Sequence, residues 1–260
     1  MAASVRARFF EPMLLLRTDR LPDGAQWMYE LKLDGYRAIA VKSGGRIHLR
    51  SRNNKDFATK YPTIHAALAA LPKETVVDGE VVAIDESGKP SFHALQNNGS
   101  SKAPLFYYVF DLLILAGRDL TNEPLSLRRQ LLDRDVLPNL DDPVRESAVL
   151  DANLLDLIHA VKAQGLEGLV QNEKTAIYES GQRSGAWQKM RVNQGQEFVI
   201  GGYTRAARAF DALIFGYYEG GRLMYVARTR NGFTPSSRER SSIPRFCNSP
   251  ATGYRSVALG

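Results

Sequence analysis

Short stretches of alternating apolar and polar residues recur along the chain, and this alternation predicts β-strands with one buried face. One stretch differs, because Leu105 to Leu115 is too apolar to alternate, which predicts a central strand covered on both faces. The glycine pairs Gly44-Gly45 and Gly220-Gly221 predict hairpin turns. The other predicted strands are Trp27 to Val41 as one or two strands, Arg46 to Arg50, Thr75 to Ile84, Gly168 to Gln171, Ala186 to Arg191, Glu197 to Tyr203, Ala212 to Tyr218 and Leu223 to Thr229.

Helical spacing of apolar residues is concentrated in the first two thirds of the chain. The predicted helices are Tyr61 to Leu71, a short one at Phe92 to Gln96, Ser126 to Arg134, and Asp151 to Gln164 with Asp151 as its N-cap and Gly165 after its end. The later part reads as strands, with one further helix at Ser236 to Phe246. This change predicts a domain boundary near Asn193, which separates a domain of residues 1–192 from one of residues 193–260.

The positive charge lies at one end of the chain. The formal net charge is +6 and the pI is about 9.4, values that favour a polyanionic partner. From Arg222 onward there are seven arginines and one acid, Glu239, so residues 1–221 are neutral overall. The basic C-terminal end is typical of a nucleic-acid-binding surface. The alternative is a disordered or non-native basic tail.

Several classes of site and compartment are excluded or disfavoured by composition. The single Cys247 rules out an internal disulfide and a cysteine-based zinc cluster, and the four histidines lack metal-ligand spacing. No apolar run is long enough to span a bilayer, and the N-terminus lacks the apolar core of a secretory signal. We therefore expect a cytosolic protein with no membrane partner.

The stretch from Glu30 to Arg37 reads Glu-Leu-Lys-Leu-Asp-Gly-Tyr-Arg and places a lysine among apolar neighbours. As a strand, it would put Lys32, Asp34 and Tyr36 on one face and the leucines on the core face. An unprotonated lysine amine is a nucleophile, a nearby acid could orient it or hold a metal ion, and an arginine fork suits a phosphate. An ordinary surface strand with alternating charges is the alternative that this stretch alone leaves open.

Further polar clusters follow the predicted strands, and their order along the chain is informative. They are Ser51-Arg52, Asp78-Gly79-Glu80, Phe110-Asp111, Glu167-Gly168 and Lys189-Met190-Arg191. Together with Lys32-Leu-Asp34-Gly35-Tyr-Arg37, which matches K-x-D-G-x-R, this series resembles the covalent nucleotidyltransferase superfamily of ATP-dependent DNA ligases, RNA ligases and mRNA capping enzymes. The amino-acid sequence around Lys32, around Trp187 and from Gln196 to Tyr203 is most similar to that of bacterial ligases of the LigD type, which act in end joining.

The resemblance implies an α+β fold. Its first domain would be a nucleotidyltransferase (ATP-grasp-like ligase) domain of antiparallel sheets with flanking helices, and a partial OB-fold β-barrel would follow. ATP and Mg²⁺, or Mn²⁺, are the implied cofactors. Lys32 would attack the α-phosphorus of ATP to form a lysyl-N-AMP adduct. The other implied roles are Glu30 and Phe110 at the adenine, Arg37 and Arg52 at the ribose or phosphates, Glu80 at the ribose hydroxyls, Lys189 and Arg191 at the α-phosphate, and Asp34, Glu80 and Glu167 at the metal ion.

Two departures from the family pattern stand out. The fourth motif usually ends in lysine, and Asn172 occupies that position; Lys174, two residues later, is a partial substitute if the strand continues. The missing phosphate-side cation is expected to slow a charge-dependent step. The OB-fold also looks truncated, because two further strands and the family's final basic motif have no counterpart in the sequence, as in an altered or shortened reading of a longer ligase gene.

The resulting hypothesis is an ATP-dependent DNA ligase that seals nicks in DNA repair and end joining. A degenerate ligase that binds nucleotide or DNA with little turnover is the second hypothesis, and an RNA ligase or guanylyltransferase is the third. The implied partners are nicked double-stranded DNA and other end-joining proteins. We expect a monomer in a bacterial cytoplasm, associated with the nucleoid.

Overall fold

The structure is a computed structural model that describes residues 4–97, 102–192, 198–205, 210–230 and 234. The chain divides into two compact units, Met1–Gln194 and Gly195–Gly260. The helix predicted at Ser236 to Phe246 and the boundary predicted near Asn193 lie outside the described residues. None of the helices in the described part of the chain has the length and apolar character that crossing a membrane requires.

Strands outnumber helices, and most helices are short. The strands are β1 (Leu16–Arg17), β2 (Trp27–Leu31), β3 (Tyr36–Ser43), β4 (Arg46–Ser51), β5 (Thr75–Ala83), β6 (Leu105–Leu115), β7 (Arg118–Asp119), β8 (Val144–Glu146), β9 (Gly168–Glu173), β10 (Trp187–Arg191), β11 (Val199–Arg205), β12 (Phe210–Glu219) and β13 (Arg222–Thr229). The helices are α1 (Pro62–Ala67), α2 (Phe92–Gln96), α3 (Leu125–Leu131) and α4 (Leu154–Ala163), with 3₁₀ turns at Leu68–Ala70 and Leu137–Asn139 and a π turn at Leu132–Val136.

The first unit contains a six-stranded sheet in the order β4-β3-β5-β6-β7, with β8 paired to β6. All neighbours are antiparallel except β6 and β8. Strand β6 lies inside this sheet and buries Leu112, Leu113 and Ile114, which confirms the predicted central strand. Apolar residues from the helices pack on the sheet, so the main core lies between them.

A second sheet in this unit has the order β1-β10-β9-β2. The predicted strand region Trp27 to Val41 is therefore two strands in two different sheets. Lys32 to Gly35 connect them outside any strand, so the predicted face alternation of Lys32, Asp34 and Tyr36 is wrong. The connection from β2 to β3 passes close to β5, and this approach requires glycine at position 35. A Cβ at Gly35 would lie 2.2 Å from the Val81 carbonyl oxygen on β5.

Three helices differ from the predicted ones, and α3 begins one residue before Ser126 and passes into a π turn after Leu131. Helix α4 begins after Asn153, whose side chain accepts a hydrogen bond from the Asp156 N–H at 3.0 Å, so Asp151 is not the N-cap. Gly165 follows the helix end in the left-handed region (φ 67°), as predicted. The helix predicted at Tyr61 to Leu71 is shorter and finishes as a 3₁₀ turn.

In the second unit, the described residues form an antiparallel sheet in the order β11-β12-β13. Gly220 and Gly221 form the hairpin turn between β12 and β13 with φ values of 54° and 78°, which confirms the predicted turn. Phe210 and Leu213 are buried in this unit, and Tyr203 and Phe215 pack beside them.

Candidate active site

Lys32 lies where strands of the second sheet converge. Its backbone N–H donates to the Gly168 carbonyl at 2.9 Å, which ties the end of β2 to the start of β9. Its Nζ donates to Glu167 Oε2 at 2.5 Å, and the Lys32 side chain is only 12% exposed. A Cβ at Gly168 would lie 2.0 Å from the Met190 carbonyl oxygen, so only glycine allows β9 to approach β10 this closely. The close strand packing thus sets the position of the amine.

A small group of charges surrounds Lys32 on one side. Glu167 Oε1 forms an ion pair with Arg191 Nε at 2.9 Å, so one carboxylate joins Lys32 to Arg191. Burial raises the pKa of Asp34, and the negative charge of Glu167 raises it further. Asp34 and Glu167 both line a small cavity that Lys32 also reaches. Two of the acids predicted for a metal ion are therefore neighbours.

The remaining predicted residues line a second cavity on which Lys32 also borders, which we call the nucleotide cavity. It contains Glu30, Lys32, Arg37, Arg52, Glu80, Phe110 and Lys189 from the predicted set. The structure therefore brings seven predicted residues to one cavity, although they come from strands of two sheets and from the segments that follow β2 and β4. Asp34 and Glu167 line the adjoining cavity, and Arg191 reaches Lys32 through Glu167.

Arg37 is held tightly by the protein. Its Nε and Nη2 donate to the two carboxylate oxygens of buried Asp78 at 2.6 and 2.7 Å, and the Tyr178 hydroxyl donates to the same carboxylate at 2.6 Å. Burial alone would lower the pKa of Arg37, but the Asp78 carboxylate outweighs it and raises that pKa. The guanidinium lies 4.4 Å from the Phe110 ring centroid. Within the described residues Nη1 has no hydrogen-bond partner, so it is available to a ligand.

Glu80 and Lys189 have unusual protonation properties. Glu80 lies beside Arg37 in the register of β3 and β5, and burial raises its pKa to about 7. Burial lowers the pKa of Lys189, and the positive charges of Lys32 and Arg191 lower it further. The pKa values of both groups are therefore shifted toward neutral pH, and such shifts are typical of functional sites.

Asn172 belongs to a buried network at another part of the cavity wall. Its Nδ2 donates to Glu30 Oε1 at 2.9 Å, and both side chains are almost fully buried. Arg129 Nη1 lies 3.8 Å from Glu30 Oε2, and burial raises the pKa of Glu30 despite these partners. Lys174 does not substitute for the missing lysine, because β9 ends at Glu173 and Lys174 Nζ donates to the Ala25 carbonyl at 2.6 Å.

The acids fit a metal ion only in part. Across the described residues, no three His, Cys, Asp or Glu side chains cluster as a preformed metal site. Asp34, Glu80 and Glu167 are drawn from two adjoining cavities, so an ion there would need ligand oxygens as well. Mg²⁺ commonly binds this way, through one or two carboxylates together with substrate phosphates and water.

The sequence reasoning missed several residues of the cavity. Trp187 forms an edge contact with Phe110, and its ring lies 5.4 Å from the Arg37 guanidinium. Arg183 also lines the cavity and comes from the loop before β10. A cation next to the Gly-Ala-Trp motif was a visible signal for Arg183. Asp78 belongs to the predicted cluster Asp78-Gly79-Glu80, but its pairing with Arg37 had no signal in the sequence. Tyr178 had none either, because it reaches Asp78 from 100 residues away.

Comparisons with known proteins agree with this geometry. Residues 12–191 match the family model of the ATP dependent DNA ligase domain. The chain is 37% identical over 228 residues to the multifunctional non-homologous end joining protein LigD of Pseudomonas aeruginosa, which covers 84% of this chain and 27% of that protein. It is 31% identical over 200 residues to the SPbeta prophage-derived DNA ligase-like protein LigB of Bacillus subtilis, with 76% and 73% covered.

A solved structure described as mycobacterial DNA ligase D complexed with ATP and MES superposes with a TM-score of 0.65 and 32% identity, covering 88% of this chain and 74% of that chain. The chain spans less than a third of the length of the LigD proteins that it matches, 27% of the Pseudomonas protein and 31% of the Mycolicibacterium smegmatis protein. The similarity to LigD ligase domains confirms the predicted α+β class of a nucleotidyltransferase domain with an OB-fold. The chain therefore belongs to the ATP-dependent DNA ligase domain family, and its ligase domain is of the LigD type.

Proposed function

We propose that the protein is an ATP-dependent DNA ligase that seals nicks through a lysyl-N-AMP intermediate on Lys32. The observation that carries this proposal is the convergence of Lys32, Glu80, Phe110 and Lys189 on one cavity, from four separate strands or strand ends. A structural neighbour of the same family is described as an ATP complex.

The first step follows from the contacts of Lys32. The Nζ–P bond forms at the α-phosphorus of ATP while the P–O bond to pyrophosphate breaks. The ammonium must first lose a proton, and Glu167, at 2.5 Å, is the nearest acceptor. Lys189 and the free Nη1 of Arg37 supply positive charge at the cavity, which stabilises the charged transition state.

The remaining residues hold the nucleotide in this proposal. Phe110 offers a ring for adenine stacking, which is worth roughly 1–3 kcal/mol, and Glu30 lies at the buried end of the cavity for adenine contact. Arg52 lies at the mouth of the cavity, where its exposed side chain could meet a phosphate. Arg191 orients Glu167.

A divalent cation, which we propose to be Mg²⁺ with Mn²⁺ as a substitute, would neutralise phosphate charge. Asp34 and Glu167 would hold it from the adjoining cavity, and Glu80 from the nucleotide cavity. Because these carboxylates do not form a preformed cluster, we expect the ion to bind together with ATP and not before it.

The names of the LigD relatives support a role in non-homologous end joining and DNA repair. We propose nicked double-stranded DNA as substrate, which would accept AMP on its 5′-phosphate before the 3′-hydroxyl attacks. We also propose a monomer that works with other end-joining proteins, associated with the nucleoid in a bacterial cytoplasm. We further propose that residues 1–192 form the nucleotidyltransferase domain and residues 193–260 the OB-fold domain.

Incubation of the full chain with α-labelled ATP and Mg²⁺ tests this function. We expect a labelled protein band that disappears in Lys32→Ala. Lys174→Ala is the matched control, because its amine is bonded to the Ala25 carbonyl outside the cavity, and it should label as the wild type does. An unlabelled wild-type protein would contradict the proposal.

The replacement of the usual lysine by Asn172 favours a second candidate, a degenerate ligase with an impaired first step. Sealing of pre-adenylylated nicked DNA, compared with sealing from ATP, separates the two candidates. Loss of the ATP-dependent reaction alone, restored by Asn172→Lys, would favour the impaired enzyme. Sealing from ATP at a comparable rate would exclude it.

A further inference from the structure

A groove beside the β3–β4 hairpin carries a concentration of positive charge that the proposed reaction does not use. Its basic residues are Arg6, Arg8, Arg46, His48 and Arg50, and we call it the basic groove. The segment of residues 6–9 forms one wall, and the outward face of β4 forms the other. No residue of this groove lines the nucleotide cavity.

The strand pattern explains why the β4 side chains point outward. Leu49 is fully buried, and Ile47 packs against the main core. Because successive side chains of a strand point to opposite faces, Arg46, His48 and Arg50 share the other face. Their alternation with apolar residues therefore places three basic groups in one row along the groove.

Little negative charge is available to compensate this row. No Asp or Glu lines the groove, and in the described residues Arg8, Arg46 and Arg50 form no ion pair. Glu74 lies near one end, but its carboxylate accepts the N–H groups of Ala7 and Gly44 at 2.6 and 2.7 Å and so joins the two walls. Asp56 pairs with Arg50 in a β-bridge, and its carboxylate accepts the Ala58 N–H at 2.8 Å.

The groove and the nucleotide cavity are lined by neighbouring residues of the same two segments. Residues 6–9 line the groove, and residues 12–15 of the same segment line the cavity. On the other wall, Arg46 to Arg50 line the groove and Arg52 lines the cavity. Arg52 is six residue steps after Arg46, which is roughly 20 Å at a strand rise of about 3.3 Å per residue. That length equals about six base-pair steps of duplex DNA.

We propose that the basic groove binds the sugar–phosphate backbone of one duplex arm beside the nick, up to about six base pairs from the reacting phosphate. The inference rests on the proposed ligase function, because a nick at Arg52 sets the register. DNA is favoured over an acidic protein because Arg46 and Arg50 lie on the strand that precedes Arg52, beside the site where a DNA phosphate would react. Backbone contacts of this kind position a duplex without reading its sequence.

The test uses the full chain, the double variant Arg46→Gln/Arg50→Gln, and nicked duplexes whose two arms are shortened independently. Binding is measured by fluorescence anisotropy over a range of salt concentrations. With both arms about twelve base pairs long, we expect the variant to bind about tenfold more weakly and its log K against log salt slope to fall by about 2. With the arm that occupies the groove cut to about four base pairs, the DNA still reaches Arg50 but not Arg46, so the loss of affinity in the variant should shrink to about threefold.

The matched control is Arg134→Gln/Arg145→Gln, which removes the same charge from arginines that are already paired with Asp135 and Asp142. It should bind long-arm DNA nearly as the wild type does. Equal affinity of wild type and groove variant for long-arm DNA would overturn the proposal, and so would the same loss on short and long arms. Failure of the ligase proposal appears separately, as absent labelling of wild-type protein by ATP.

Discussion

Two buried arginine–aspartate pairs lie side by side in the six-stranded sheet and serve different ends. Asp78 on β5 and Asp111 on β6 are opposite each other in register, and both are fully buried. Arg37 binds Asp78 through two hydrogen bonds of 2.6 and 2.7 Å. Arg128 from α3 binds Asp111 through two of 2.7 and 2.9 Å. The pairing chemistry is the same in both cases.

The difference lies in the third nitrogen of each guanidinium. Nη1 of Arg128 donates to the carbonyls of Glu123 and Ala176 at 2.6 and 3.0 Å, so the core uses all of its nitrogens. Arg37 lines the nucleotide cavity, and in the described residues its Nη1 has no partner. The Arg128–Asp111 pair thus bonds its whole guanidinium within the core, whereas the Arg37–Asp78 pair leaves one nitrogen available at the cavity. A buried ion pair alone does not tell which of these roles it has.

Arg128→Leu should have the largest effect on stability. It leaves the Asp111 carboxylate buried without its cation, and breaking such a pair costs roughly 3–5 kcal/mol. Urea unfolding followed by circular dichroism measures the loss. A change in the free energy of unfolding below about 1 kcal/mol would show that the core tolerates an unpaired Asp111. It would contradict the claim that the Arg128–Asp111 pair stabilises the fold.

Arg37→Lys should mainly affect the reaction. Lysine keeps the charge but cannot bind Asp78 with two parallel bonds and also offer a donor to the cavity. We expect the rate of protein labelling by ATP to fall by about 100-fold, or roughly 2.7 kcal/mol. Arg128→Lys is the control, and its folded fraction should label at nearly the wild-type rate. Equal losses of labelling in both variants would erase the distinction between the pairs.

Tyr178→Phe tests the support behind Arg37. The hydroxyl donates to Asp78 at 2.6 Å, and a hydrogen bond to a charged group contributes roughly 1.5–3 kcal/mol. Unfolding free energy should fall by about this amount. Tyr107→Phe is the control, since that hydroxyl donates to the neutral Ala38 carbonyl and should cost about 1 kcal/mol. A larger loss for Tyr107→Phe would contradict the account.

Glu80 should give the smallest effect, visible as a pH dependence. It lies next to the Arg37 pair without an arginine of its own, and burial raises its pKa to about 7. Its ionised fraction therefore rises from roughly 9% at about pH 6 to roughly 91% at about pH 8. If the carboxylate holds the metal ion or ribose, labelling by ATP should increase about tenfold over this range relative to Glu80→Gln.

Stability should respond to the same group in the opposite direction. Because the pKa of Glu80 in the folded state lies above its ordinary value of 4.5, its contribution to stability is highest below that pH and falls as pH rises toward 7. Glu80→Gln should flatten both profiles. Identical pH profiles for the variant and the wild type would show that Glu80 does not titrate in this range.

Many residues of the candidate site could be predicted because they belong to short sequence motifs. The strands and the hairpin glycines follow from alternation and turn residues, and the ordered motifs identified Lys32, Glu80, Phe110 and Lys189 as one set. The strand assignment of Lys32 failed because alternation within the stretch cannot reveal that the chain leaves one sheet for another. The close approach of Gly35 to Val81 is a tertiary fact.

The partners of the motif residues could not be predicted, for a related physical reason. Whether Arg37 meets a phosphate or a carboxylate depends on Asp78 and Tyr178, which the fold brings to it from 41 and 141 residues away. Lys174 shows the same limit, since only the end of β9 decides that its amine binds the Ala25 carbonyl and stays out of the cavity. Local sequence patterns do not show which of several possible partners a side chain binds.

The most direct test of the account is peptide mapping by mass spectrometry after the full chain has been exposed to ATP and Mg²⁺. The account predicts a single AMP group on the peptide that contains Lys32, and its loss when pyrophosphate is added, because the step is reversible. A protein of unchanged mass, or an AMP group on Lys189 or another lysine, would contradict it.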